Sequence, residues 1–221
     1  LGANLIYTRL AGHGQDGDAL AAAKVQDWMS DLAEALHVAA QISDRTILIT
    51  TSTGGTLAAE AALSTELMQE VAGVIMISPN FAINDPMAGV LTWPAARYWV
   101  PLVAGAERRW EPLNALQEKY WTTHYPSVAV FQMAALVKHA AAADYSAVQL
   151  PLLVRLSDAD QVVRADITRQ VIAGWGGAVT LELVTPKAGM DPSAHVIAGD
   201  ITSPGETQNT VDSFVIWIKS L

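Results

Sequence analysis

The chain has 221 residues, 51% hydrophobic and 16% charged, which is enough apolar material for one sizeable core or for a core carrying an insertion. Its formal net charge is −9 and its 13 Lys and Arg residues are scattered, so electrostatic capture of a phosphate backbone, and with it nucleic acid as a partner, is excluded from the expectations. With no cysteine there can be no disulfide, thiolate nucleophile or thiolate metal ligand; this fits a reducing, cytoplasmic setting and leaves export open.

"GANLIYTRL" (2–10) reads as a short strand and "AGHGQDGDA" (11–19) as turn chemistry. From Lys24, Val25, Trp28, Met29, Leu32, Leu36 and Ala39 or Ala40 recur at three- and four-residue spacings, the signature of an amphipathic helix whose acids Asp27, Asp31 and Glu34 mostly face water. "RTILIT" is then a buried strand, "GTLAAEAALSTELMQE" a helix, and "VAGVIMISP" a second apolar strand ended by Pro79. Strand, helix, strand implies parallel pairing through a right-handed crossover. The apolar runs stay well short of the roughly 20 residues of a spanning helix, so no stable membrane insertion is expected.

Residues 84–148 change character. Pro86, Pro94, Pro101, Pro112 and Pro126 fall here with Trp93, Trp99, Trp110 and Trp121, and no clean strand is visible, so short helices interrupted by proline are expected. The parallel pattern resumes with a strand at 151–157, a helix near 162–174, a strand at 178–186, a polar loop to about Asn209 and a final amphipathic helix. The expected organisation is an α/β core of residues 1–83 and 149–221, split by a helical cap of residues 84–148.

The knot "TSTGG" sits between a strand and an alanine-rich helix. A serine hydroxyl is a poor nucleophile, so acyl transfer needs a base for its proton and donors for the developing oxyanion. A tight strand-to-helix turn exposes the side chain and aims backbone N–H groups at one spot, provided its neighbours are small. Gly54 and Gly55 follow Ser52, and Ala58 and Ala59 let the helix lie close; Thr50 stands where the G-x-S-x-G pattern has its first glycine. A serine helix cap would account for the same residues, and a phosphate loop would not, because its spacing and lysine are missing. Downstream, "SDADQVV" places Asp158 and Asp160 after a strand end, where open parallel sheets build their sites, and His195 follows the next strand. The order Ser52, acid, His195 is that of a nucleophile, an orienting carboxylate and a base. His13, Asp16 and Asp18 in "HGQDGD" are ordinary turn residues, so no metal is assigned.

Taken together, "RLAGHGQDG", "TTSTGG", "ISPNF", "SDADQVV" and "SAHVIAGD" resemble an α/β-hydrolase-fold serine esterase of the bacterial carboxylesterase and monoacylglycerol lipase branch, over nearly the whole chain. The resemblance implies ester hydrolysis by Ser52, His195 and Asp160, the last chosen over Asp158 by the family's frame, in which Ser157 replaces a glycine. It implies no cofactor and no metal, a small-molecule ester as substrate, and the backbone N–H of Thr53 as an oxyanion donor. Thioesterase, amidase and acyltransferase activities, or a binding protein with an impaired site, are the alternatives; dehalogenases and epoxide hydrolases carry aspartate at the elbow. In the family a "GHG" loop follows the fourth strand, so the resemblance also places three strands, a helix and the second oxyanion donor ahead of Leu1. A chain without them is expected to form a homo-oligomer through the exposed sheet edge. The aromatics of residues 84–148 are expected mainly to pack that segment's own core.

Overall fold

The computed structural model describes residues 1–221. In chain order the elements are α1 (Gly17–Ala22), α2 (Val25–Ile42), β1 (Thr46–Thr51), α3 (Thr53–Ala62), β2 (Val71–Ile77), α4 (Ala96–Ala104), β3 (Glu107–Arg109), α5 (Ala115–Tyr120), β4 (His124–Pro126), α6 (Val130–Ala142), β5 (Leu152–Leu156), α7 (Ala165–Ala173), β6 (Val179–Leu183) and α8 (Pro204–Ser220). Four parallel strands form the main sheet in the order β1-β2-β5-β6.

Side-chain alternation assigns the two faces of this sheet. Val74 and Met76 of β2 and Leu152, Val154 and Leu156 of β5 point to one side, where they join Trp28, Leu32 and Leu36 of α2, Leu57, Ala58, Ala59, Ala61 and Ala62 of α3, and Val171 and Ile172 of α7. Ile75 and Leu153 point to the other and meet Phe214 of α8, with Trp217 and Ile218 alongside. Gly73 admits that helix: a Cβ there would lie 2.7 Å from Leu221 Cδ1 and 2.8 Å from the Trp217 ring. Each fully buried Leu or Ile of these central strands contributes about 1.5–3 kcal/mol. The strands at the two edges are only half covered, and Ile49 of β1 is 50% exposed.

Five expectations are corrected. Residues 2–10 are not a strand: they lie outside every ladder, with Leu5 and Tyr7 exposed, because a β-propensity run without a neighbouring strand has nothing to satisfy its backbone. The helix that begins with α3 does not reach Glu70. Ser64, whose hydroxyl accepts from Leu67 N–H, turns the chain after Ala62. Residues 84–148 do contain strands, the antiparallel pair β3–β4, three residues each. Most of their aromatics do not form a packed core: Trp93, Tyr98, Tyr120 and Trp121 are exposed and Trp99, Trp110 and Tyr125 only half-buried, whereas Tyr145 is buried in the main core against Trp175 rather than in a core of the segment's own. Finally, α8 starts at Pro204, with Ser203 before it and Glu206 in its first turn, several residues ahead of its apolar stripe.

Candidate active site

The ends of β1, β5 and β6 converge. Ser52 stands between β1 and α3 with φ 51° and ψ −120°, a left-handed backbone that costs a non-glycine residue of order 1–3 kcal/mol and persists only where surroundings impose it. Here they do: Ser52 N–H donates to Ile77 O at 2.9 Å, and Ser52 O accepts from Gly55 N–H at 2.9 Å and Asn80 N–H at 3.1 Å. Gly55 is the residue on which the close approach depends, since a Cβ there would sit 2.7 Å from Pro79 Cβ; one on Gly54 would meet only Thr50 Cβ, at 3.7 Å. Thr50, in place of the pattern's glycine, is accommodated by donating its hydroxyl to Ile75 O at 3.0 Å.

Asp160 sits just past β5 with its side chain 1% exposed. Its Oδ1 accepts from Val162 N–H at 2.8 Å and Val163 N–H at 2.9 Å, which leaves Oδ2 for His195 Nδ1 at 2.8 Å. Asp158 points away: its carboxylate is 63% exposed and pairs with Arg169 at 2.6 Å. Of the two acids, the fold sets Asp160 against His195 and turns Asp158 to Arg169.

His195 has the longest way to come, because three strand spacings of about 4.8 Å each separate β6 from β1. The loop after β6 spans them and is tied down on arrival. Gln161 N–H donates to Ser193 O at 2.8 Å, and Ser78 Oγ donates to His195 O at 2.8 Å. The imidazole, 11% exposed, then bridges Asp160 and Ser52, its Nε2 lying 3.1 Å from Ser52 Oγ. Carboxylate, imidazole and hydroxyl thus form one hydrogen-bonded chain. Thr53, first residue of α3, has a backbone N–H without an intrahelical partner, at the positive end of the helix dipole and next to Ser52.

Three supporting residues have no counterpart among the sequence expectations. Asn84 Nδ2 donates to Asp160 O at 3.1 Å, Ser78 buttresses the histidine loop from a backbone with φ 44°, and Asp191 collects four hydrogen bonds within that loop. Positive φ at Ser78 carries no sequence signal, Asn84 acts across a contact that exists only after folding, and Asp191, followed by serine two residues on, reads in sequence as an ordinary turn residue. His13 is exposed, with Nδ1 3.2 Å from Ala11 O and its ring edge-on to Trp28; Asp16 caps α1 by accepting from Ala19 N–H at 2.9 Å. No group of three or more His, Asp or Glu side chains is placed to hold a metal ion. Two cavities of about 650 and 680 Å³ lie beside α6, one lined by Phe81, Ile83 and Val137, the other by Trp93, Tyr98 and Phe131; neither is lined by Ser52 or His195.

A parallel sheet flanked by helices, with serine, aspartate and histidine on the loops after its strands, defines the α/β-hydrolase fold. The chain belongs to the hydrolase family described as serine aminopeptidase, S33, whose model matches residues 6–186 and so takes in Ser52 and Asp160. Among solved structures it is similar to one from a study of LipS and LipT, two metagenome-derived lipolytic enzymes (19% identity, 96% of this chain and 80% of that one, TM-score 0.77). It is also similar to the monoacylglycerol lipase of Paleococcus ferrophilus (13%, 95% and 80%, 0.66) and to a soluble variant of the monoglyceride lipase of Saccharomyces cerevisiae (12%, 95% and 75%, 0.68). At these identities the likeness is one of fold. Among curated proteins none matches. No helix is long and apolar enough to cross a membrane.

Proposed function

We propose that the protein is a serine hydrolase that cleaves carboxylic esters through an acyl-enzyme, with Ser52 as nucleophile, His195 as general base and acid, and Asp160 as the carboxylate that orients the imidazole. The observation that carries this reading is the continuous chain Asp160 Oδ2–His195 Nδ1, 2.8 Å, and His195 Nε2–Ser52 Oγ, 3.1 Å. With Asp160 accepting the Nδ1 proton, Nε2 carries the lone pair and faces the hydroxyl, the tautomer that proton abstraction requires. Attack on the ester carbonyl transfers the hydroxyl proton to Nε2, the Thr53 N–H stabilises the oxyanion, and the imidazolium returns the proton to the leaving alkoxide. Water, deprotonated by the same nitrogen, then releases the acid and regenerates Ser52. The cycle draws on no cofactor.

Residues 84–148 serve in this proposal as a cap over the site, and their exposed aromatics favour an uncharged ester with an aliphatic acyl group. The neighbours named as lipases support the ester reading, whereas the family description names a peptidase and supports an amide substrate as the second reading. Turnover of p-nitrophenyl esters of graded chain length, set against the matching anilides and thioesters, separates the two. An ester preference that vanishes in Ser52→Ala supports the proposal, and hydrolysis of the anilide alone overturns it in favour of the amidase.

A further inference from the structure

Asp191 is 7% exposed in the loop that carries His195, and the proposed cycle assigns it no step. Its Oδ1 accepts from Ser193 N–H at 3.0 Å; its Oδ2 accepts from Ser193 Oγ at 2.6 Å, Val196 N–H at 2.8 Å and His195 N–H at 3.2 Å. The turn it organises is a strained one. Ala194, immediately before His195 and itself 2% exposed, has φ 55°, a region that an alanine occupies only when its surroundings leave no alternative. Around the same turn, Ser203 Oγ donates to Val196 O at 2.5 Å and accepts from Asp191 N–H at 3.0 Å, and Ser78 Oγ holds His195 O.

Building on the reading of His195 as the base, we infer that Asp191 is a positioning residue: its carboxylate holds the left-handed turn at Ala194 and thereby sets the imidazole of His195 between Asp160 and Ser52.

The charge suits the task. Burial pushes the Asp191 carboxyl up, but the hydroxyl of Ser193 and the N–H groups of Val196, Ser193 and His195 outweigh it and hold the group below the usual carboxylate range, so it is an acceptor only at neutral pH. A carboxylate can meet all four donors at once, whereas an amide would turn its own donor toward one of them. Without the carboxylate the turn keeps only the Ser78, Ser203 and backbone contacts against the return of Ala194 to negative φ, and a displacement of about 1 Å at an imidazole costs on the order of 10²-fold in rate.

The test measures kcat and KM for a p-nitrophenyl ester in wild type, Asp191→Ala, Asp191→Asn, Ala194→Gly and the double variant Asp191→Ala with Ala194→Gly, at a temperature where melting curves show every protein folded. Labelling of wild type, but not of Ser52→Ala, by a fluorophosphonate first establishes the reading of the site; its failure overturns that reading independently of Asp191. Given labelling, the inference expects kcat to fall on the order of 10²-fold in Asp191→Ala with KM within about threefold, and less in Asp191→Asn, which keeps an acceptor. It also expects the double variant to recover about tenfold of the loss, because glycine adopts positive φ without strain. A kcat within about threefold of wild type in folded Asp191→Ala overturns the inference, as does a double variant no faster than Asp191→Ala.

Discussion

Replacing Asp160 by Asn probes the proposed chemistry while changing almost no volume. The amide oxygen can keep the bonds from Val162 N–H and Val163 N–H, at 2.8 and 2.9 Å, which leaves the NH2 group against His195 Nδ1. A donor there forces Nδ1 to accept, so the imidazole proton moves to Nε2 and points at Ser52 Oγ across the 3.1 Å contact. The base is then blocked at the nitrogen that should take the proton, and kcat is expected to fall about 10⁴-fold, or about 5 kcal/mol in activation free energy. Two of the three hydrogen bonds survive, so the melting temperature is expected to stay close to wild type. The internal control is Asp158→Asn two residues earlier: an exposed carboxylate paired with Arg169 contributes about 0–1 kcal/mol, and its loss should leave kcat within about twofold. The assay is steady-state hydrolysis of a p-nitrophenyl ester with intrinsic fluorescence melting of each variant. A loss below tenfold in Asp160→Asn, or an equal loss in Asp158→Asn, would refute the reasoning.

Other outcomes follow from the same contacts. Gly55→Ala should cost about 1–3 kcal/mol of stability and most of the activity, because its Cβ meets the Pro79 ring at 2.7 Å, and Gly54→Ala, with 3.7 Å to spare, should be milder; the reverse order in urea melts would contradict this account of the turn. Glu60 is raised above its usual pKa chiefly by burial, with His139 and Tyr145 opposing. Its native form therefore binds more protons than the unfolded chain, and stability falls as pH rises from about 4.5 through the raised value. Glu60→Gln removes that slope, so parallel pH–stability curves for the two proteins would count against it. The outer edge of β1 has no partner strand and Ile49 there is half exposed, so we expect a polypeptide of residues 1–221 to associate through this edge. A monodisperse 23.5 kDa species in light scattering would argue the opposite.

What could be read from the sequence is what short-range chemistry dictates. Val71 to Ile77 had to be a central strand because it is apolar on both faces, and the 3.6-residue recurrence of Trp28, Leu32, Leu36 and Ala39 is buried as its spacing implies. "TSTGG" was legible because a tight strand-to-helix turn tolerates only small residues. That Asp160 and His195 lie near Ser52 was legible because strand ends mark where side chains can converge; the preference for Asp160 over Asp158 rests on resemblance, and the fold sets Asp160 against His195 and Asp158 against Arg169. Residues 2–10 misled because strand propensity is local and strand pairing is not. Neither β3 nor β4 was visible, since three-residue strands such as "ERR" show no alternation. The start of α8 was marked by Ser203, Pro204 and Glu206, a capping signal overshadowed by the apolar pattern that begins at Val211. Ser78 acts through His195, a partner that only the tertiary fold brings near it, whereas Asp191 acts through Ser193, His195 and Val196 in its own turn, a local pattern shared with ordinary Asx turns.

The central claim is that Ser52 is an activated nucleophile. The measurement that tests it most directly is intact mass after incubation with a fluorophosphonate, wild type beside Ser52→Ala, followed by mapping of the labelled peptide. A single adduct is expected on wild type, located at Ser52, and none on the variant. An unlabelled wild type, or an adduct that persists in Ser52→Ala, would contradict it.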